Sequence, residues 1–441
     1  MVVDAPQSCG AIKPSFAFTT ITERWPKIIT RVIDQMHQKH NESVKKYGES
    51  GDADIKYVIH NLSRLRYMVV TDKPLEFLVT DVPDKGVWNK VIKDYHEKVG
   101  EKETTWYKIP FLFSECFMYR LIYQYYQDTQ NFKDYDPFRI EKEKSYHESR
   151  NHLLTLAHEL LKTIKEETKG DELKKRNLSS HTSMLVVSLL SLEMNVTSIY
   201  RGNKADLSLS GGDSAQMSET LFKELDDMRG NILVDDIDAT IEHLMNLSSE
   251  RRVDFILDNS GLELFTDLCL GELLVTEKLA SKVVFHGKDF NWVIDTTANS
   301  EDANLRELGK RWQSNVEKGL FEYKTHEFFT FGFSYFEIPT RAPELYADLQ
   351  KSSLLIFKGD LNGRKLIGDR DWNPTTPFLD VIKDFKPTDF IALRTLKAET
   401  VAGLSEGTYK KIVEKFGRED RTWQVSSDYA IAQAFFKKHV Q

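Results

Sequence analysis

Four short stretches in the C-terminal half of this 441-residue chain carry oxygen ligands or cations where an apolar run gives out. The first reads Ile256-Leu257-Asp258-Asn259-Ser260-Gly261-Leu262-Glu263, with Asp267 one helical turn further on. An Asp-Asn pair leaving a buried strand presents two hard oxygen ligands, suited to Mg²⁺ or Mn²⁺. Gly261 lets the backbone turn tightly into a helix, and Glu263 and Asp267, four apart, share one face of that helix near the mouth. The second stretch, Trp292-Val293-Ile294-Asp295-Thr296-Thr297, reads as a strand region ending in a third carboxylate. The third is Phe357-Lys358-Gly359-Asp360-Leu361-Asn362-Gly363-Arg364-Lys365, and the last is Leu393-Arg394-Thr395-Leu396-Lys397. Carboxylates at two ends and cations at two others are the charge inventory for a metal ion and a phosphate in one cleft.

Each stretch has an ordinary structural explanation. Asp-Asn-Ser-Gly alone is a common turn and helix cap, and Asp295-Thr296-Thr297 serves equally well as a cap. Arg394 and Lys397 could be a solvated strand end. The functional reading rests on all four falling where an α/β sheet binds its ligands, outside the carboxyl ends of the strands.

The elements that must position these residues follow from periodicity. Ile28, Val32 and Met36, with Ile29 and Ile33 beside them, make one amphipathic stripe, and Val58, Leu62, Leu65 and Met68 make another. Pro110 opens an aromatic run, Phe111 to Tyr126, too long and apolar for an exposed helix, and Glu141 to Glu167 is charged with leucines at helical spacing. Residues 1–200 therefore read as an all-helical domain. Beyond Tyr200, short apolar runs alternate with helical patterns. Val253–Leu257, Val283–His286, Leu354–Lys358 and Phe390–Leu393 read as strands, with helices over Leu262–Leu279 and Ala342–Gln350. That alternation predicts βαβ units and a largely parallel sheet in an α/β domain over residues 201–441.

Composition narrows the partners. The formal net charge of -8 opposes a nucleic-acid role, which needs clustered Lys and Arg, but leaves room for a local basic pocket and a small phosphorylated substrate. Cys9, Cys116 and Cys269 form no CxxC pair, so zinc and redox motifs are not indicated. The N-terminus has no signal-peptide core, and the apolar run Met184–Leu192 is too short to span a membrane. A cytoplasmic location is the default, and a nuclear one is compatible. Nothing in the sequence indicates an oligomeric state.

Two glycine or acidic motifs act as decoys. Asp236-Ile237-Asp238-Ala239-Thr240 mimics the nucleophile motif of haloacid-dehalogenase-like phosphatases, but no companion acidic motif follows in order, and a helix-cap reading is preferred. Ser208–Gly212 lacks the Gly-Lys-Ser/Thr of a phosphate-binding P-loop.

Taken together, Asp258-Asn259-Ser260-Gly261-x-Glu263, Asp295-Thr296-Thr297, Asp360-Leu361-Asn362-x-Arg364 and Arg394-Thr395-x-Lys397 resemble the damage-control phosphatase family. The resemblance is to its third subfamily, marked by Arg-Thr-x-Lys near the C-terminus; Gly202-Asn203-Lys204-x-Asp206-Leu207-Ser208 and Arg64-Leu65-Arg66 resemble it too. It implies a helical N-terminal domain and a Rossmann-like α/β/α C-terminal domain. It also implies a divalent metal (Mn²⁺, Ni²⁺, Co²⁺ or Mg²⁺) on Asp258, Asn259 and Asp295. Implied substrate contacts are Asp258, Asn259, Glu263, Asp360, Leu361, Asn362, Gly363, Arg364 and Lys397, and the implied reaction is hydrolysis of sugar phosphates such as fructose 1-phosphate and fructose 6-phosphate. Lys397, assisted by Arg364, would neutralise the phosphate oxygens. The rival reading is a protein-glutamate O-methyltransferase using S-adenosylmethionine, an activity also attributed to the family. A cofactor site of that kind normally has a glycine-rich turn, whereas Gly261 stands alone after Asp258-Asn259-Ser260.

Overall fold

Amphipathic spacing builds the N-terminal half as expected. A computed structural model describes residues 4–165, 229–247, 251–287 and 291–437. The run Met184–Leu192, the Gly202–Ser208 motif, the Ser208–Gly212 loop and the 200/201 boundary lie outside the described residues. Helix α1 (Trp25–Tyr47) buries Trp25, Ile29, Val32 and Met36, and α2 (Glu49–Val70) buries Ile55, Val58, Leu62 and Leu65 against it. Next come α3 (Lys85–Val99) and the aromatic α4 (Phe111–Gln127), which is buried on most sides. Trp25 stacks on Phe111 with ring centroids 5.5 Å apart, and Trp88 meets Phe331 edge-on at 5.4 Å. Contacts of this kind tie the helices to the Phe328–Ile338 segment in one core.

The C-terminal half is a seven-stranded sheet: β1 (Ile232–Asp235), β2 (Arg252–Ile256), β3 (Lys282–His286), β4 (Phe321–Lys324), β5 (Leu354–Lys358), β6 (Phe390–Thr395) and β7 (Ala430–Phe435). Their order is β1-β7-β6-β5-β2-β3-β4, and every neighbouring pair is parallel except β6 with β7. Side chains alternate between two cores. Leu354 and Ile356 of β5 face one, Leu355 and Phe357 the other, and Ile391 and Leu393 of β6 divide from Phe390 and Ala392 in the same way. One face carries α1–α4. The other carries α5 (Arg139–Glu148) through Tyr146, α6 (Arg150–Lys165), α8 (Leu262–Thr276) and α10 (Ala303–Glu317), while α7 (Ile237–Asn246) follows β1 and packs on that side too.

Connectivity then selects the site. From β2 the chain passes through α8 to β3 on one side, and from β5 it passes through α12 (Gly359–Ile367) to β6 on the other. Helices α8 and α12 lie on opposite faces, since α8 contributes to one core and Leu366 and Ile367 of α12 to the other. The adjacent carboxyl ends of β2 and β5 therefore bound a crevice at the topological switch point. The segment between β4 and β5 includes α11 (Pro343–Leu349), one residue shorter at each end than the sequence pattern suggested.

Two expectations need correction. The run around Asp295 is not a strand region but helix α9 (Asn291–Ala298). Val293, Ile294, Thr297 and Ala298 are its buried residues, a helical face whose neighbouring Val and Ile imitate a strand. Asp267 is not near a mouth either, because both Glu263 and Asp267 are buried beneath the crevice.

Candidate active site

Asp258 leaves β2 and lies across the start of α12. Gly359, at φ +87, is the residue it lies against, and a Cβ at 359 would collide with the Asp258 carboxylate. Glycine is needed here both for the backbone angle and for that close approach. The carboxylate thus sits at a helix N-terminus, where unpaired N–H groups favour negative charge.

Asn259 is exposed beside it, and its amide Nδ2 donates to Glu263 Oε2 at 2.9 Å. That bond leaves the Asn259 carbonyl oxygen as the end of the amide available to a ligand. Glu263 is 2% exposed. Burial pushes its carboxyl up to about 8; Lys358 opposes this, and Asp258 and Asp267 add to it. Below it, Lys358 Nζ meets Asp267 Oδ1 at 2.8 Å, both side chains being fully buried. The buried Lys365 adds positive charge near Asp258 from the other side.

The end of β5 and the end of β6 are built differently. Asp360 accepts from Arg364 Nε at 2.8 Å through one oxygen and from Arg394 Nε at 2.9 Å through the other. Burial alone would raise its carboxyl, but Arg394, Arg364 and Lys397 outweigh burial and hold it below the ordinary carboxylate range. Arg364 also donates to Glu115 of α4 at 2.5 Å and lies 3.6 Å from Asp369, so its charge is committed to three protein carboxylates. Arg394 crosses Gly363, where a Cβ would strike its Cδ, and donates to the Thr400 carbonyl at 2.6 Å. It is a buried anchor within β6, not a solvated strand end. Lys397, just past the strand, is half-buried and is the cation of this group with exposed surface.

Asn362 has a structural task as well as its expected place at the crevice. Its Nδ2 reaches the carbonyls of Ile256 at 3.0 Å, Leu257 at 3.2 Å and Lys358 at 2.6 Å, and its Oδ1 accepts from the buried Tyr335 hydroxyl. Leu361 packs half-buried against the α1–α4 core. Asp295 is exposed on α9 and accepts from Gln313 Nε2 at 3.1 Å. Arg64 is also exposed, paired with Glu76 at 2.5 Å, on the surface of α2.

Two residues that shape the site carry no local sequence signal. Glu115 reaches Arg364 across 249 positions, and Tyr335 reaches Asn362 across 27. Lys358 was visible only as a strand-end cation. The decoy at Asp236 is resolved by geometry: it occupies the N-cap position of α7, and its carboxylate accepts from Ala434 N–H of β7 at 2.8 Å.

A divalent cation is testable against these residues. Asp258 and Asn259 supply an oxygen-only donor pair, which fits a hard cation. Among the described residues no three His, Cys, Asp or Glu side chains form a ready metal cluster, a set that leaves the Asn259 amide out of the count. No described helix is long and apolar enough to cross a membrane.

A doubly wound α/β sheet gathers carboxylates and cations at the carboxyl ends of β2, β5 and β6, where such sheets bind their ligands. Comparison with known proteins gives the family: residues 20–412 match the damage-control phosphatase ARMT1-like domain. Relatives named Damage-control phosphatase ARMT1 are 36% identical in Mus musculus and 34% in Homo sapiens, each over 95% of this chain and 96% of the relative. A Xenopus laevis protein of the same name is 34% identical over 98% of this chain and 99% of its own. The chain belongs to the ARMT1-like damage-control phosphatase family, a family of hydrolases.

Proposed function

We propose that this protein is a metal-dependent phosphomonoesterase for small phosphorylated metabolites, sugar phosphates such as fructose 1-phosphate and fructose 6-phosphate among them. The observation that carries the reading is the pairing of two pockets across β2, β5 and β6. One gathers Asp258, Glu263 and Asp267 around the buried Lys358; the other ends in Lys397, partly exposed beside a tightly held Asp360.

Asp258 and the Asn259 carbonyl oxygen would hold a divalent cation (Mn²⁺, Ni²⁺, Co²⁺ or Mg²⁺). Asp295 would add a third oxygen from the surface of α9. When bound, such an ion supplies Lewis acidity and a water of lowered pKa. The chain's own residues do the rest. Glu263 fixes the Asn259 amide so that its oxygen faces the crevice. Gly359 lets Asp258 lie on the backbone of the neighbouring loop. Arg364 and Arg394 hold Asp360 rigid rather than binding phosphate themselves. Lys397 would then be the point charge that meets the substrate's phosphate oxygens, where charge grows in the transition state.

The methyltransferase reading finds no support at the crevice, since the loop after β2 carries Gly261 alone and places a carboxylate where a cofactor turn would need backbone. A screen of metal-free protein with each metal and each sugar phosphate, read as released phosphate, tests the proposal. Labelled-methyl incorporation from S-adenosylmethionine runs in parallel. Phosphate release that depends on added metal supports the reading; methyl transfer without phosphate release overturns it.

A further inference from the structure

The buried pair Lys358–Asp267 is poorly explained by stability. Both side chains are fully buried at 2.8 Å, and removing two charges from water costs about as much as their attraction returns. An apolar pair of similar volume would serve the fold as well. Its position suggests another role.

Lys358 is the last residue of β5 and immediately precedes Gly359 and Asp360. Asp267 lies on α8, one turn beyond Glu263. The pair therefore joins the loop that carries Asp258 and Asn259 to the loop that carries Asp360, from the α8 face of the sheet. On the opposite face Asn362 does the same with hydrogen bonds. Its Nδ2 holds the carbonyls of Ile256 and Leu257 at the end of β2 and of Lys358 at the end of β5, while Tyr335 fixes its Oδ1. Lys358 is thus pinned by its carbonyl from one side and by its ammonium from the other.

We infer that Lys358 and Asp267 are positioning residues: with Asn362 they form a two-sided clamp that sets the separation of the β2 and β5 loops, and through it the spacing of the candidate metal and phosphate groups. The clamp itself rests on geometry; its consequence for metal rests on the function proposed above. Displacing catalytic groups by about 1 Å can cost on the order of 100-fold in rate, so a rigid link at this point has a use that stability alone does not require.

The test compares wild type with the double variant Lys358→Met/Asp267→Leu, which removes both charges and strands neither. Asp267→Asn, of nearly unchanged shape, is the second variant should the double fail to fold. Thermal unfolding, amide hydrogen exchange of residues 257–263 and 359–362 in metal-free protein, and Mn²⁺ affinity by calorimetry are measured on the full chain. The clamp predicts a melting temperature near wild type for the double variant, with faster exchange confined to the two loops. It also predicts Mn²⁺ affinity about 10–100-fold weaker, as for other supports of metal ligands. Wild-type loop exchange in a folded variant would overturn the clamp. Should wild type bind no Mn²⁺, the proposed function fails, and loop exchange still decides the clamp.

Discussion

The two halves of the crevice hold their carboxylates differently. Around Asp360, three carboxylates (Asp360, Glu115 and Asp369) meet Arg364, Arg394 and Lys397, and the charges balance. Around Asp258, Glu263 and Asp267 lie close to Lys358, and the buried Lys365 brings further positive charge to Asp258. The balanced half is tightly cross-linked around Asp360, while Arg364 Nη1, Arg394 Nη2 and both Asp369 oxygens are buried with no hydrogen-bond partner among the described residues. The Asp258 half brings the oxygens of Asp258 and Asn259 to the crevice, above a Glu263 carboxyl that burial, with Asp258 and Asp267 adding to it, raises to about 8. A site that must hold a cation and an anion together separates the tasks between neighbouring strand ends.

Substitutions can break this contrast, the largest effect first. Asp258→Ala removes the carboxylate at the centre of the acidic half. Metal-dependent turnover should fall about 1,000-fold or more, roughly 4 kcal/mol, with the fold retained. Circular dichroism and phosphate release check both parts.

Arg364→Met attacks the balanced half, and its main effect should be on stability. Removing one member of a buried charge network strands Glu115 and should cost about 3–5 kcal/mol in denaturant unfolding. If Arg364→Met unfolds like wild type yet loses phosphate affinity, Arg364 binds substrate and the contrast drawn here is wrong.

Lys397→Met should lower kcat/KM for fructose 1-phosphate by about 2–4 kcal/mol at saturating metal while leaving Mn²⁺ affinity unchanged. An unaltered kcat/KM would make it a bystander at a strand end.

Asp295→Ala should weaken Mn²⁺ binding about 10-fold, roughly 1.4 kcal/mol, with a stability change within about 0.5 kcal/mol because the side chain is exposed. Unchanged metal affinity would remove Asp295 from the ligand set. Smallest of all, Asp236→Asn should leave turnover at the wild-type level. It should cost about 1 kcal/mol of stability through the weakened bond from Ala434 N–H. Loss of activity there would revive the covalent-nucleophile reading.

Legibility in the sequence tracked locality. Strand β5 matches its apolar run residue for residue, because both its faces are buried and Gly359 ends it sharply. Asp258, Asp360 and Lys397 were readable as strand-end residues for the same reason. Strand β4 escaped because its Phe321–Lys324 segment lies at a sheet edge with only Phe321 buried, and β7 because its alanines and Gln433 break up the apolar run. The Asp295 segment misled because a short helix burying Val293 and Ile294 side by side looks like a strand. Arg364 looked like a phosphate cation, since nothing local announces that Glu115, on a distant helix, already holds it. Spacing reveals which residues share an edge of the sheet; only the packed helices reveal which charges are already spent.

Diffraction from crystals soaked with Mn²⁺ and inorganic phosphate, recorded at the manganese absorption edge, tests the central claim most directly. The account predicts one anomalous peak within coordination distance of the Asp258 carboxylate and the Asn259 carbonyl oxygen, with phosphate between that ion and Lys397 Nζ. Manganese bound away from Asp258, or phosphate seated on Arg364 with Lys397 turned to solvent, would contradict it.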